Sequence, residues 1–251
     1  MRADRARTGE TDTPSYRGNA IAVGVLFILC SAAAVLSIVP LGAAVTAPVD
    51  MAKLAANSDR VVWTALIEFV WAITGAGIAI GLYPVLKKSM PALALGSVIG
   101  RVFENVFVLV GTLGLLAVLA VSQQAASAAV PVSFQAIADA LLGLRAWATA
   151  FVAMIPFAIG TILYSYVLYR SRLVPRWLSG WGIVAGVLAL APPLYAGMTQ
   201  ELGFTMVNNV FSAPIGVQEM TLAVWLIAKG FSKPALVRVE SRVDSTEARA
   251  S

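Results

Sequence analysis

Residues Pro91–Val121 read PALALGSVIGRVFENVFVLVGTLGLLAVLAV and contain only two charged side chains, Arg101 and Glu104. An α-helix needs about 20 mostly apolar residues to cross the ~30 Å hydrocarbon core of a bilayer. This stretch is longer, so it can cross the membrane with some tilt or project beyond it. Five other apolar runs accompany it, and the six predicted spans are residues 18–41, 61–83, 91–121, 144–168, 177–197 and 206–228. The sequence therefore predicts an all-α polytopic membrane protein, built as a bundle of six transmembrane helices.

The composition of the whole chain also requires a lipid environment. Of its 251 residues, 59% are hydrophobic and 12% are charged, and the mean hydropathy is +0.83. A soluble domain usually carries about 25% charged residues, so the apolar excess of this chain has to face lipid. No polar linker divides the apolar runs. We therefore expect one transmembrane domain, residues 18–231, between a disordered cytoplasmic tail, residues 1–17, and a second cytoplasmic tail, residues 232–251.

The basic residues are distributed unevenly between the two predicted sides of the membrane. If the N-terminus is inside, three of the 18 basic residues lie outside (Lys53, Arg60 and Arg145) and Arg101 lies within a span. The other fourteen lie inside: Arg2, Arg5, Arg7, Arg17, Lys87, Lys88, Arg170, Arg172, Arg176, Lys229, Lys233, Arg238, Arg242 and Arg249. The positive-inside rule then predicts that both termini are cytoplasmic. Contact with anionic lipid heads accounts for the net charge of +5. We expect the lipid bilayer as a partner and no nucleic acid.

Residue types that commonly carry catalysis or bind metals are scarce. The chain has no histidine and one cysteine, Cys30, which lies within the first apolar run. An internal disulfide is therefore excluded, and zinc or histidine chemistry is not expected. The sequence also has no nucleotide-binding loop and no metal-ligand motif. We expect no metal and no cofactor, and we favour a non-enzymatic protein.

A few polar side chains lie inside the predicted spans, where a charge costs several kcal/mol and normally faces a partner in the bundle interior. Helical spacing places Arg101, Glu104 and Asn105 on one face of the third span, and Asn208 and Glu219 on one face of the sixth. Glu68 lies in the second span at a depth that lets all three acids meet in the bundle interior. The predicted binding cluster therefore comprises Arg101, Glu104, Glu219, Glu68, Asn105 and Asn208.

This cluster supports more than one function. The leading hypothesis is a polar cavity for transport or binding of a small molecule or a proton. One arginine cannot neutralise three buried glutamates, so at least one glutamate is expected to carry a proton at neutral pH. The alternative is a structural or accessory membrane protein that acts through partners and uses the cluster only to hold its helices in register. The third hypothesis is a glutamate-dependent intramembrane enzyme.

Several sequence segments together carry a family resemblance. They are RGNAIAVGVLF (Arg17–Phe27), LYPVLKK (Leu82–Lys88), RVFEN (Arg101–Asn105), LVPRWLSGWG (Leu173–Gly182) and PIGVQEMTLAVWLIAKGF (Pro214–Phe231). Their order and spacing resemble the bacterial membrane-protein family known as domain of unknown function 4386. The resemblance implies six spans and the bacterial inner membrane, but no activity, substrate or cofactor. The matching segments include Arg101, Glu104 and Glu219, whereas Glu68 lies outside them.

Overall fold

The computed structural model describes residues 16–38, 48–127, 132–202, 205–238 and 241, and these residues form helices and no strand. Residues 1–15 of the predicted N-terminal tail and most of the predicted C-terminal tail lie outside the described residues, and Arg17 of the predicted tail begins α1. The α-helices in the described residues are α1 (Arg17–Leu36), α2 (Met51–Ala56), α3 (Ser58–Leu86), α4 (Pro91–Ser127), α5 (Val132–Trp147), α6 (Met154–Ser171), α7 (Arg176–Leu188), α8 (Ala191–Thr199) and α9 (Met206–Ala228). Residues 233–238 add a short helical segment after α9.

Among the described residues, six helical segments are long and apolar enough to cross a membrane: Arg17–Leu36, Ser58–Leu86, Pro91–Ala126, Phe134–Ser171, Arg176–Thr199 and Met206–Ala228. The predicted all-α bundle of six transmembrane helices is confirmed. The fourth segment contains α5 and α6, which are joined by a π-helical stretch, Ala148–Val152. The fifth contains α7 and α8.

The fourth segment begins earlier than the predicted residue 144 because the polar side chains of α5 have local partners. The backbone N–H of Val49 donates to Asp139 Oδ1 (2.9 Å), and Gln135 Nε2 donates to the Val49 carbonyl (3.0 Å). These bonds hold the chain just before α2 against α5. The polar residues before position 144 are therefore part of helix α5, Val132–Trp147.

The six spans form a closed ring of contacts. Helix α1 packs on α3, α3 on α4, α4 on α6, α6 on α7, α7 on α9, and α9 again on α1. A bundle closed in this way has lipid-facing outer surfaces and a protein-lined interior. Side chains that α4, α6 and α9 direct into that interior are shielded from both lipid and water, which is the setting of the candidate site.

Helices α4 and α6 approach each other at two glycines. A Cβ atom added to Gly100 would lie 2.8 Å from the Pro156 carbonyl oxygen, and one added to Gly160 would lie 3.2 Å from the Arg101 backbone nitrogen. Small residues allow this kind of backbone contact between membrane helices. The contact sets the position of the α4 backbone at Arg101, the central residue of the site.

We expect Gly100→Ala to destabilise the protein by about 1–3 kcal/mol, the usual cost of overpacking. The added methyl group meets backbone atoms of α6, which cannot move aside as a flexible side chain can. The matched control is Gly216→Ala in α9, because an added Cβ there has no heavy atom within 4 Å. The control should keep or slightly raise stability, since alanine favours a helix over glycine by about 0.5–1 kcal/mol. Denaturant unfolding in detergent measures both; equal effects at the two sites would contradict the close contact.

The described chain ends lie at the same end of the bundle. Arg17, at the start of α1, donates hydrogen bonds to the carbonyls of Leu226 and Ile227 near the end of α9. The Lys88 ammonium, just after α3, lies 5.0 Å from the centre of the Tyr16 ring. We call this the basic end; its basic residues are Arg17, Lys87, Lys88, Arg170, Arg172, Arg176 and Lys229. That the basic end is cytoplasmic stays a prediction.

Candidate functional site

Arg101 is the centre of the site and one of the largest fully buried side chains. It is 1% exposed, and it projects from α4 one residue after the close contact at Gly100. Its Nη1 atom lies 3.1 Å from Glu104 Oε2, one turn along α4, and 3.8 Å from Glu219 Oε1 on α9. The guanidinium carbon also lies 4.9 Å from the centre of the Phe157 ring on α6. One cation therefore joins three helices of the ring.

Tyr164 of α6 completes the group. Its hydroxyl donates to Glu219 Oε1 over 3.4 Å, and its ring packs edge-on against Phe27 of α1, with 6.3 Å between ring centres. We call Arg101, Glu104, Glu219 and Tyr164 the central cluster. Glu104 is 4% exposed and Glu219 is 8% exposed, so two carboxyl groups and one guanidinium share a nearly closed space.

Several polar atoms at and around the central cluster have no hydrogen-bond partner among the described residues. They include Arg101 Nε, Asn105 Oδ1, Ser165 Oγ and Gln218 Oε1. Buried polar groups in proteins are normally hydrogen-bonded. The central cluster therefore has hydrogen-bonding capacity that the described side chains do not use.

The polar region extends from the central cluster toward α7. A Cβ atom added to Gly182 would lie 2.5 Å from Ser165 Oγ and 2.9 Å from Gln218 Nε2. Gln218 Nε2 also donates to the Leu178 carbonyl (3.3 Å). Ser165 and Gln218 adjoin Tyr164 and Glu219 in the chain, so α6 and α9 each contribute two successive polar residues. The glycine at position 182 leaves room for them.

Glu68 does not join the central cluster, which corrects the expectation that all three acids meet. Arg145 of α5 donates to both carboxylate oxygens of Glu68 through its two terminal nitrogens, Nη2 to Oε1 and Nη1 to Oε2, the latter over 3.0 Å. Thr112 Oγ1 donates to the same oxygen (2.7 Å), and Arg145 Nη1 also donates to the Gly111 carbonyl (2.9 Å). Thr112 lies eight residues beyond Glu104, about 12 Å along α4. Arg145, at the predicted outer end of a span, can reach Glu68 because α5 is helical and packs on α4.

The two predicted asparagines lie in different places. Asn105 is buried beside the central cluster, where its Nδ2 donates to the Arg101 carbonyl (2.6 Å) and its amide packs against Gly75 of α3. Asn208 lies near the start of α9, where its Oδ1 accepts a hydrogen bond from Ser212 (3.2 Å). It is 11 residues from Glu219, about 16 Å along the helix. Asn208 therefore lies about three turns of α9 away from Glu219, and its hydrogen bond with Ser212 does not connect it to the central cluster.

Sequence reasoning missed the contribution of α6. Phe157, Tyr164 and Ser165 carry no charge, so the cost of burying a charge could not select them. One signal was available for Tyr164. Tyrosine in membrane helices is concentrated at the interfaces, whereas Tyr164 lies within the apolar run 154–168 and so has to find a buried partner for its hydroxyl.

Comparison with known proteins places the chain in a family context. The model of a family described as a domain of unknown function (DUF4386) matches residues 22–230. No curated protein and no solved structure matches the chain. The matched region contains all four residues of the central cluster as well as Glu68 and Arg145.

Proposed function

This chain belongs to the DUF4386 family, as its sequence segments predicted, and because the family's description names no activity, we propose from the site alone that the protein binds or transports a proton or a small cationic solute through the central cluster. We also propose the bacterial inner membrane as its location, with both termini cytoplasmic. No catalytic step is part of this proposal.

The observation that carries the proposal is the contrast between the two buried ion clusters. The Glu68–Arg145 pair is a closed unit: one carboxylate receives two guanidinium nitrogens and a threonine hydroxyl. In the central cluster Arg101 contacts Glu104 at 3.1 Å, but the contacts of Glu219 are long, 3.8 Å to Arg101 and 3.4 Å to Tyr164. Arg101 Nε and the neighbouring Ser165 Oγ and Gln218 Oε1 have no hydrogen-bond partner among the described residues. A purely architectural network is expected to resemble the first cluster rather than the second.

The charge balance of the central cluster favours a positively charged ligand. With both glutamates ionised, the cluster carries a net charge of about −1 in a medium of low dielectric constant, where an unpaired charge is costly. A proton shared by Glu104 and Glu219 removes that charge, and so does a bound cation. Acids that face one another inside a membrane bundle are the usual components of proton and ion pathways.

The first test measures the shared proton by infrared spectroscopy of the purified protein at neutral pH. We expect an absorption band of a protonated carboxyl group that disappears in Glu104→Gln or in Glu219→Gln. The matched control is Glu68→Gln, which removes an acid that Arg145 already neutralises and should leave the band unchanged. A wild-type protein without the band would contradict the shared proton.

The second test measures function in liposomes that contain a pH-sensitive dye. After an external acid step with the membrane voltage clamped, wild type should acidify the lumen faster than protein-free liposomes, and Glu219→Gln should return the rate to the protein-free level. Glu68→Gln should behave as wild type. Small organic amines are then tested for stabilisation of the purified protein against heat. If wild type conducts no protons and no amine stabilises it, the proposal fails and the accessory-protein alternative is supported.

A further inference from the structure

A groove of about 450 Å³ opens at the basic end, where α6 ends, α7 begins and α9 ends. Its walls come from two short connecting segments and one tryptophan: Arg172, Leu173, Val174, Pro175, Arg176, Trp225, Lys229, Gly230, Phe231 and Ser232. A hydrogen bond from the Ser232 N–H to the Leu173 carbonyl (2.8 Å) joins the two segments. This bond fixes the two segments relative to each other, so the groove between them is part of the fold.

Three cations line this groove, and no carboxylate of the described residues is paired with them. Arg172, Arg176 and Lys229 are all exposed, and none of the three forms an ion pair within the part of the chain that the structure describes. The sequence contains no acidic residue between positions 170 and 200 or between 220 and 239. Arg176 packs over the Tyr169 ring, 5.2 Å from its centre, which orients its side chain without neutralising it. The groove thus carries a concentrated positive charge.

The backbone at the groove adds to this positive potential. Helix α7 begins at Arg176, and the preceding Pro175 supplies no side-chain cap, so the positive end of the helix dipole lies at the groove wall. The negative end of α9 is nearby, but three of its last four carbonyls, those of Trp225, Leu226 and Ile227, already accept hydrogen bonds. Gly230 donates its N–H to Trp225 and Leu226, and Arg17 donates to Leu226 and Ile227. These hydrogen bonds weaken the negative potential that the end of α9 presents to an anion in the groove.

The remaining walls are apolar and lie at the ends of the spans. Leu173, Val174 and Phe231 are buried, and Trp225 is half-buried one turn before Lys229. Tryptophan at a span end is typical of the headgroup level of a bilayer. Basic pockets between transmembrane helices recognise anionic lipid headgroups. A phosphate diester with acyl chains would place its charge beside the three cations and its chains along the apolar wall.

We propose that this groove binds the phosphate group of an anionic ligand, supplied either by a phospholipid headgroup or by a free phosphate compound. This site is separate from the central cluster, because α7 and α9 form it at their ends whereas the central cluster lies within the spans. A negative result at one of the two sites therefore does not contradict the proposal for the other.

The test compares two neutralised pairs in the full-length protein, with short-chain phosphatidylglycerol as the probe and phosphatidylcholine as its zwitterionic reference. Arg172→Gln with Lys229→Gln removes two cations of the groove. Lys53→Gln with Arg60→Gln removes two exposed cations of the helices α2 and α3, at the predicted opposite side. We expect phosphatidylglycerol to raise the unfolding temperature of wild type more than phosphatidylcholine does. Its affinity should fall about thirtyfold in the groove pair, since each cation near an anionic headgroup contributes roughly fivefold, and stay within about twofold in the control pair.

Competition experiments identify the source of the phosphate, and a single variant is available if the groove pair does not fold. Competition by inorganic phosphate and glycerol 3-phosphate would identify a site for free phosphate compounds, whereas no competition would identify the lipid headgroup as the ligand. If the groove pair does not fold, the single Lys229→Gln variant, with an expected loss of about fivefold, takes its place. Equal affinity of wild type for the two lipids, or equal loss in the groove and control variants, would overturn the proposal.

Discussion

Arg101→Met is expected to lower the free energy of unfolding by about 3–5 kcal/mol, the usual cost of removing one partner from a buried ion pair. Methionine approximates the length of the arginine stem, so the loss reflects charge more than volume. Without the guanidinium, Glu104 and Glu219 face each other in a nearly closed space. Denaturant unfolding in detergent, followed by tryptophan fluorescence, measures the effect.

The pH dependence of this variant has a definite sign. The two carboxyl groups can remain buried if they take up protons, so folding of Arg101→Met binds protons that the unfolded chain releases at neutral pH. The stability of the variant should therefore rise as the pH falls from 8 to 5, relative to wild type. A destabilisation that is independent of pH would show that packing, rather than charge, is lost.

A triple variant provides the control for this interpretation. Arg101→Met combined with Glu104→Gln and Glu219→Gln has no charge in the central cluster, and replacing a whole buried ion group by neutral residues is often close to neutral for stability. We expect the triple variant to regain most of the stability that Arg101→Met loses. If it is no more stable than the single variant, the electrostatic account of the central cluster is wrong.

Arg145→Ala is expected to produce the second large loss, also about 3–5 kcal/mol, because it leaves the Glu68 carboxyl group, 2% exposed, without its cationic partner. Glu68→Ala should cost less. The Arg145 side chain is 19% exposed, so an unpaired guanidinium can turn toward the interface and recover hydration. The double variant should be more stable than the sum of the two single effects by about 0.5–3 kcal/mol. Unfolding of all four proteins in the same detergent completes the cycle, and strictly additive effects would contradict the pair.

The two ion clusters therefore give different expectations for the same substitution. A Glu→Gln change at position 68 removes a carboxylate that three donors hold in place, so it should affect stability and leave proton conduction unchanged. The same change at position 219 removes a carboxyl whose partners lie 3.4 and 3.8 Å away, so it should abolish conduction at a small cost in stability. This comparison tests whether Glu219 has the proposed role in conduction while Glu68 has a structural one.

The sequence by itself determined the fold class and the residues of the site that carry charge. Apolar runs of about 20 residues or more predict six helical spans, because that is the length an α-helix needs to cross a bilayer and a soluble fold could not hide that much apolar surface. The high cost of burying a charge selected Arg101, Glu104 and Glu219 before any contact was known. Both inferences rest on the solvent preference of single residues or runs, which does not depend on neighbours in space.

Only the tertiary structure decided which acid pairs with which base. In the sequence, Glu68 and Glu104 are both single acids within apolar runs, so either could pair with Arg101. In the structure, α5 extends the fourth span and brings Arg145 to Glu68, which leaves Arg101 with Glu104 and Glu219. The roles of the uncharged residues of α6 and the groove at the basic end also could not be predicted from the sequence. Helix periodicity defines which residues share a face, but not which helix packs against that face. Pairing depends on contacts between distant segments, such as Gly100 against Gly160, and those exist only once the ring of helices has closed.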